Sequence, residues 1–243
     1  MTSQVKPDDE RPVTTISKSG APSAHTSAPY GAAATEEAVE EKTKGRVGFI
    51  IAALMLAMLL SSLGQTIFGS ALPTIVGELG GVNHMTWVIT AFLLGQTISL
   101  PIFGKLGDQF GRKYLFMFAI VLFVVGSIIG ALAQNMTTLI VARALQGVAG
   151  GGLMILSQAI TADVTTARER AKYMGIMGSV FGLSSILGPL LGGWFTDGPG
   201  WRWGLWLNVP IGIVALIAIA ALLKLPVQER GKVTIDWLGS IFM

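Results

Sequence analysis

Gly104-Lys-Leu-Gly-Asp-Gln-Phe-Gly-Arg-Lys113 is a polar island between two apolar runs. Each run is long enough to cross a bilayer as a helix of about 20 residues, so the island reads as the short connection between neighbouring antiparallel helices. Gly104, Gly107 and Gly111 suit a tight reversal that needs positive φ. Asp108 is placed to accept from backbone amides at the next helix start and to pair with Arg112 or Lys113. Any solvated turn on the positive side of a membrane protein has this composition, so charge alone does not assign it a role.

The rest of the chain supports a membrane setting. With 51% hydrophobic and 13% charged residues in 243, and a mean hydropathy of +0.63, it has too little polar surface for a soluble globule. Apolar spans run over 47–76, 85–104, 114–133, 137–162, 171–195 and 204–225, and a seventh starts near Trp237. Their length predicts an all-α membrane protein rather than a barrel of alternating strands. The chain lacks cysteine, which excludes disulfides, thiolate metal sites and cysteine nucleophiles, and a histidine pair of His25 and His84 speaks against a metal cluster. A net charge of +3 and a pI near 9.3 would suit nucleic acid. The placement of the charges points to topology instead, and no nucleic-acid partner is expected.

Residues 1–45 are rich in Ser, Thr, Ala, Pro and Gly without apolar period or secretory cleavage site, and predict a disordered cytoplasmic tail. Residues 46–225 form the helical bundle, and 226–243 a cytoplasmic linker with the truncated start of the seventh helix. Lys42, Lys44, Arg46, Lys105, Arg112, Lys113, Arg168, Arg170, Lys172, Lys224, Arg230 and Lys232 all fall on one side of the proposed spans, against Arg202 on the other. The positive-inside rule then places the amino terminus in the cytoplasm. Trp87, Trp194, Trp201, Trp203 and Trp206 gather at outer ends and Tyr114, Tyr173 and Trp237 at inner ends, as interfacial belts do.

Within the spans, Arg143, Gln146, Gly147, Gly150, Met154, Ser157 and Thr161 share one face of the fourth helix. An arginine in hydrocarbon is costly unless it meets water, a carboxylate or carbonyls, so Arg143 is expected to look into a wet cavity; the alternative is a side chain snorkelling to the interface. The glycines from Gly147 to Gly152 are no phosphate loop, because no strand precedes them and their amides are spent in a helix. On the fifth helix Gly175, Gly178, Ser179, Gly182, Ser185, Pro189, Gly192 and Gly193 make a small-residue stripe, with Gly188-Pro189 interrupting the amide ladder. Such stripes permit close helix approach, and a proline bends the rod. Gln65, Gln96, Gln146, Gln158 and Asn208 suit contacts to a ligand or to neighbouring helices, Met154 offers an adaptable surface, and Trp87 is a candidate cavity wall. No carboxylate lies at mid-depth. Asp163 and Glu78 sit at helix ends, where a surface charge is their plain role.

These stretches together resemble the major facilitator superfamily of transporters. Gly104–Lys113 is similar to the family's loop between helices two and three, Gly-x-Leu-[Ala/Gly]-Asp-x-x-Gly-Arg-[Lys/Arg], with Gln109 where a cation is common. Arg143-Ala-Leu-Gln-Gly147 is similar to the helix-four signature, whose arginine is implicated in proton coupling. Gly182-x5-Gly188-Pro189-x2-Gly192-Gly193 resembles the helix-five signature of antiporters, chiefly drug exporters. Leu63 to Ile75 looks like the first helix of the 14-helix drug:proton antiporter branch, except that Gly64 replaces its usual aspartate; Asp197–Trp203 and Trp206–Gly212 are also typical of that branch.

The resemblance implies an amino-terminal half of two inverted three-helix repeats, partnered by a missing carboxy-terminal half. It implies export of lipophilic, expectedly cationic, drugs or toxic compounds across the cell membrane by alternating access, driven by the proton gradient without a cofactor. Arg143 would shape cavity electrostatics, and Gln65, Gln96, Gln146 and Asn208 would contact substrate, with Trp87, Met154 and Ser157 in the wall. Gly182, Gly188, Pro189, Gly192 and Gly193 would be hinge and seal; Gly104, Gly107, Asp108, Gly111, Arg112 and Lys113 would latch the cytoplasmic gate. The competing reading is a six-helix remnant or interaction partner that transports nothing alone. A membrane enzyme is disfavoured, since no histidine lies in a span and the carboxylates are scattered.

Overall fold

The structure, a computed structural model, describes residues 30–223. The linker and expected seventh helix, and residues 1–29 of the expected tail, lie outside them. The described chain is all helical: α1 (Tyr30–Leu79), a single 3-10 turn (Val82–His84), α2 (Met85–Phe110), α3 (Arg112–Ala131), α4 (Met136–Val164), α5 (Ala167–Asp197), α6 (Arg202–Trp206) and α7 (Asn208–Leu222). Six segments are long and apolar enough to cross a membrane, and they match the six expected spans to within a few residues at most ends. The sixth is built from α6 and α7 together. Helix α1 begins at Tyr30, so the later part of the segment expected to be tail is helical, while its apolar span starts at Val47.

Helix α4 lies at the centre, flanked by α2 and α3. Glycine permits this. A methyl group at Gly147 would overlap the Phe92 carbonyl of α2, one at Gly151 the Ser99 hydroxyl and Gln96 carbonyl, and one at Gly152 the Phe103 ring. Reciprocally, a Cβ at Gly95 of α2 would stand 2.7 Å from the Ala144 carbonyl oxygen of α4. Where lipid removes most of the hydrophobic drive for helix association, such backbone approach supplies dispersion contacts. Asn135 starts α4 cleanly, its Oδ1 accepting from the Thr138 amide at 2.8 Å and the Thr138 hydroxyl at 2.9 Å. Around α4 one apolar cluster gathers Leu54, Phe103, Phe116, Phe123, Leu153 and Ile219. Another, nearer the tryptophan-rich end, gathers Phe68, Ile75, Val88, Leu139, Trp201 and Leu205.

The island that decided the fold is not a loop. Helix α2 continues to Phe110 and α3 starts at Arg112, leaving Gly111 alone between them at φ 95°. Gly104 and Gly107 are helical, and Gly107 is buried where an added Cβ would press on Leu156 of α4. Nor does Asp108 cap α3, whose start has no side-chain cap. One turn before the break, its carboxylate turns to the guanidinium four residues on, with Arg112 Nη2 donating to Oδ1 at 2.7 Å. Arg112 also reaches α4, where Nη1 donates to Asp163 Oδ1 at 2.6 Å and to the Ala159 carbonyl at 2.9 Å. Lys113 donates to the Ala220 carbonyl at 3.0 Å and so closes the end of α7. These residues therefore form a charged clamp across helix ends.

The opposite end has a clamp of its own. Glu78 at the end of α1 accepts from Arg202 and, at 2.7 Å, from the Trp201 indole N–H. Arg202 also donates to the Ala133 carbonyl at 3.1 Å and lies over the Trp201 ring. Asp163 and Glu78, the helix-end carboxylates, are thus each held by an arginine.

Candidate substrate cleft and buried arginine

A small cleft lies among α1, α2, α4 and α5. It is lined by Met58, Ser61, Ser62 and Gln65 of α1, Gln96 of α2, Gly150 and Met154 of α4, and Phe181 of α5. Of the sequence-derived cavity residues the structure brings Gln65, Gln96 and Met154 together here. The cleft is far smaller than a site that encloses a drug-sized ligand.

Arg143 does not look into a wet cavity. Its side chain is 1 % exposed, and its guanidinium lies between the rings of Phe68 of α1 and Phe92 of α2, 4.3 Å from each centroid. Two π faces offset part of the desolvation cost that water was expected to remove. Nη1 donates to Gln146 Oε1 at 2.9 Å, one turn along the same helix. Nε has no hydrogen-bond partner among the protein groups. Gln146 Nε2 donates to Ser127 Oγ of α3 at 2.7 Å, and Asn208 Nδ2 of α7 donates to the same oxygen at 3.2 Å. The Ser127 hydroxyl itself donates to the Phe123 carbonyl at 2.9 Å. Arg143, Gln146 and Asn208, joined through Ser127, therefore form one buried network rather than a ligand-facing surface.

The other expected wall residues part company. Ser157 is buried and donates to the Leu153 carbonyl at 2.6 Å. Trp87 stands in the first turn of α2, 52 % exposed, and does not line the cleft. Gln158 is half-buried and does not line the cleft. Helix α5 runs unbroken through Pro189, and its small residues divide between two faces. Gly188 and Gly192 are buried against Thr66 and against Ile67 and Ser70 of α1, whereas around Gly182 and Gly193 there is open space. Pro189 is exposed.

Phe68, Phe92 and Ser127 were missed from sequence. A phenylalanine or serine on a membrane helix is ordinary, and only the lack of any carboxylate for Arg143 hinted that rings and amides must hold it. Gly64 belongs beside this network: it is buried, and a Cβ there would come 3.2 Å from Phe123 Cζ and 3.8 Å from Asn208 Nδ2. No group of His, Cys, Asp or Glu able to hold a metal occurs among the described residues.

Comparison with known proteins agrees with this architecture. The family model described as Major Facilitator Superfamily matches residues 54–236. The multidrug transporter protein MdtP of Bacillus subtilis is 40% identical over 204 residues, covering 84% of this chain and 38% of its own. The efflux pump dotC of Dothistroma septosporum is 42% identical over 211 residues, 85% of this chain and 36% of its own. An uncharacterized MFS-type transporter of Mycobacterium tuberculosis is 44% identical over 194 residues, 80% of this chain and 28% of its own. The chain thus spans about a third of the length of these relatives. Among solved structures, the human organic anion transporter MFSD10 (TETRAN) superposes with a TM-score of 0.62 at 21% identity, covering 76% of this chain and 50% of its own, a likeness of fold.

Proposed function

The chain belongs to the Major Facilitator Superfamily, and on that footing we propose that it is the amino-terminal six-helix part of an exporter of lipophilic compounds. It is a multi-pass membrane protein whose named relatives are transporters, two of them a multidrug transporter and an efflux pump, not enzymes. The observation that carries the reading is the cleft among α1, α2, α4 and α5, lined by Gln65 and Gln96, with the stacked Arg143 behind it. Export in exchange for protons by alternating access follows the resemblance in the Arg143 and Gly182–Gly193 segments. The carboxy-terminal half would supply the facing wall, and the amino terminus would lie in the cytoplasm of a cell whose plasma membrane holds the protein. A cationic substrate would have to find its carboxylate in that other half.

The test uses the full-length protein in proteoliposomes with an imposed pH gradient and lipophilic dyes of positive, zero and negative charge. Gradient-driven movement of at least one dye, abolished by collapsing the gradient, is expected. Movement of none would sink the export reading, and movement indifferent to the gradient would sink proton exchange alone.

A further inference from the structure

Four carboxylates near helix ends are engaged: Glu78 by Arg202 and Trp201, Asp108 and Asp163 by Arg112, and Glu169 by the Thr166 hydroxyl at 2.9 Å. None lines the cleft, whose polar groups are the Gln65 and Gln96 amides and the Ser61 and Ser62 hydroxyls. Gly64, where a carboxylate would enter the buried network, has no side chain to offer.

A fixed positive charge stands behind the wall. Gly150, in the wall, lies two turns along α4 from Arg143, a rise of roughly 10 Å. Phe92 spans part of that gap: its ring lies 4.3 Å from the guanidinium, and its Cζ is 3.5 Å from where a Cβ on Gly150 would be. Arg143 meets no acid; its hydrogen-bond partner is the neutral Gln146, which leaves its net charge intact. A guanidinium holds its proton where an amine would release it. Across roughly 10 Å of protein at an effective dielectric near 20, one charge alters the binding of another by about tenfold.

We infer that this wall discriminates by charge against cations, and that the lipophilic compounds it takes are neutral or anionic. The inference rests on the export reading for the identity of the cleft but is tested by binding, so the two can fail separately. The probes are tetraphenylphosphonium and tetraphenylborate, ions of nearly the same size and opposite charge, each competing with a neutral fluorescent lipophile on purified full-length protein. Detergent favours one ion over the other, so the ratio of their affinities in variants is read against the ratio in the unaltered protein.

Replacing a wall amide by a carboxylate in Gln96→Glu or Gln65→Glu is expected to shift the ratio about tenfold toward the phosphonium. Removing the buried charge in Arg143→Gln is expected to shift it the same way, and so is Arg143→Lys, whose amine would not hold the charge in this buried setting. Should Arg143→Gln fail to fold, the ratio in the unaltered protein, read against the ratio at which the two ions enter protein-free detergent, decides: a value that favours the phosphonium overturns the inference. A ratio unmoved by Arg143→Gln overturns the inference, as does failure of both ions to compete. Gradient-driven export that is normal alongside an unmoved ratio would leave the export reading standing and this one refuted.

Discussion

Helices α4 and α5 carry the same sequence signal, glycines at helical spacing, and put it to opposite uses. The most apolar stretch of α4 is 61% buried and that of α5 only 22%. On α4, Gly147, Gly150, Gly151 and Gly152 each lie where one more carbon would strike α1 or α2. On α5, Gly175, Gly178, Gly182 and Gly193 face open space, and only Gly188 and Gly192 are spent against α1. Small residues therefore mark two things in this bundle: contacts made within it, and a smooth face left unused by it. In the proposed exporter that second face of α5 would meet the carboxy-terminal half and slide against it.

The largest effect expected from this contrast is at Gly147. An alanine there puts Cβ onto the Phe92 backbone, which cannot rotate away as a side chain would. Overpacking against backbone should cost about 3 kcal/mol or more, and Gly147→Ala should yield little monodisperse protein in fluorescence-detected size exclusion. A variant that melts like the parent would refute the close α2–α4 approach. Gly178→Ala on α5 should do the reverse: with nothing near it and a better helix former introduced, stability should hold or rise by roughly 0.5–1 kcal/mol. The larger Gly182→Leu should likewise leave folding intact but stop export by the full-length protein. Unimpaired export would show that this face meets nothing.

Next in size is Arg143→Ala, which removes the cation from its two rings and leaves Gln146 Oε1 without its donor. Membrane insertion should survive and export should be lost in the full-length protein, by immunoblot of membranes and dye efflux respectively. Retained export would remove Arg143 from the mechanism. Arg112→Ala should be milder. Its partners are partly solvated, with side-chain exposures of 66% for Asp108 and 32% for Asp163, so the pair should contribute no more than about 1 kcal/mol to thermal stability.

Much of this was legible in the chain. Length and hydropathy located the spans because a bilayer imposes one length on all of them. The clamp residues were legible as charges but their geometry was not, since Lys105 and Asp108 fit a helix as readily as a turn and only Gly111 has the positive φ that breaks it. The α5 stripe read as one face because spacing alone cannot say which neighbour approaches from which side. Least legible was the setting of Arg143. Sequence shows that a buried cation needs a partner, and acids or water are the partners one looks for. Phe68 and Phe92 come from two other helices and have no polar atom to announce them.

Gly64 is the intermediate case, buried like the α4 glycines yet bounded by a side chain, and it gives the smallest stability effect. An added Cβ meets the tip of the Phe123 ring at 3.2 Å, which can give by a few tenths of an ångström, so Gly64→Ala should cost under about 1 kcal/mol. Gly64→Asp adds a carboxyl near Asn208 Nδ2, whose amide already donates to Ser127. A carboxyl in such a buried site is stabilised in its protonated form, so it can bind a proton at near-neutral pH and release it when water or a cation approaches. Export by the full-length variant should then respond more steeply to an imposed pH gradient than the parent, while Gly64→Asn, the uncharged match in shape, should not. Equal gradient dependence in both variants would mean that position 64 has no access to the proton path, and that coupling, if present, is carried wholly by the other half.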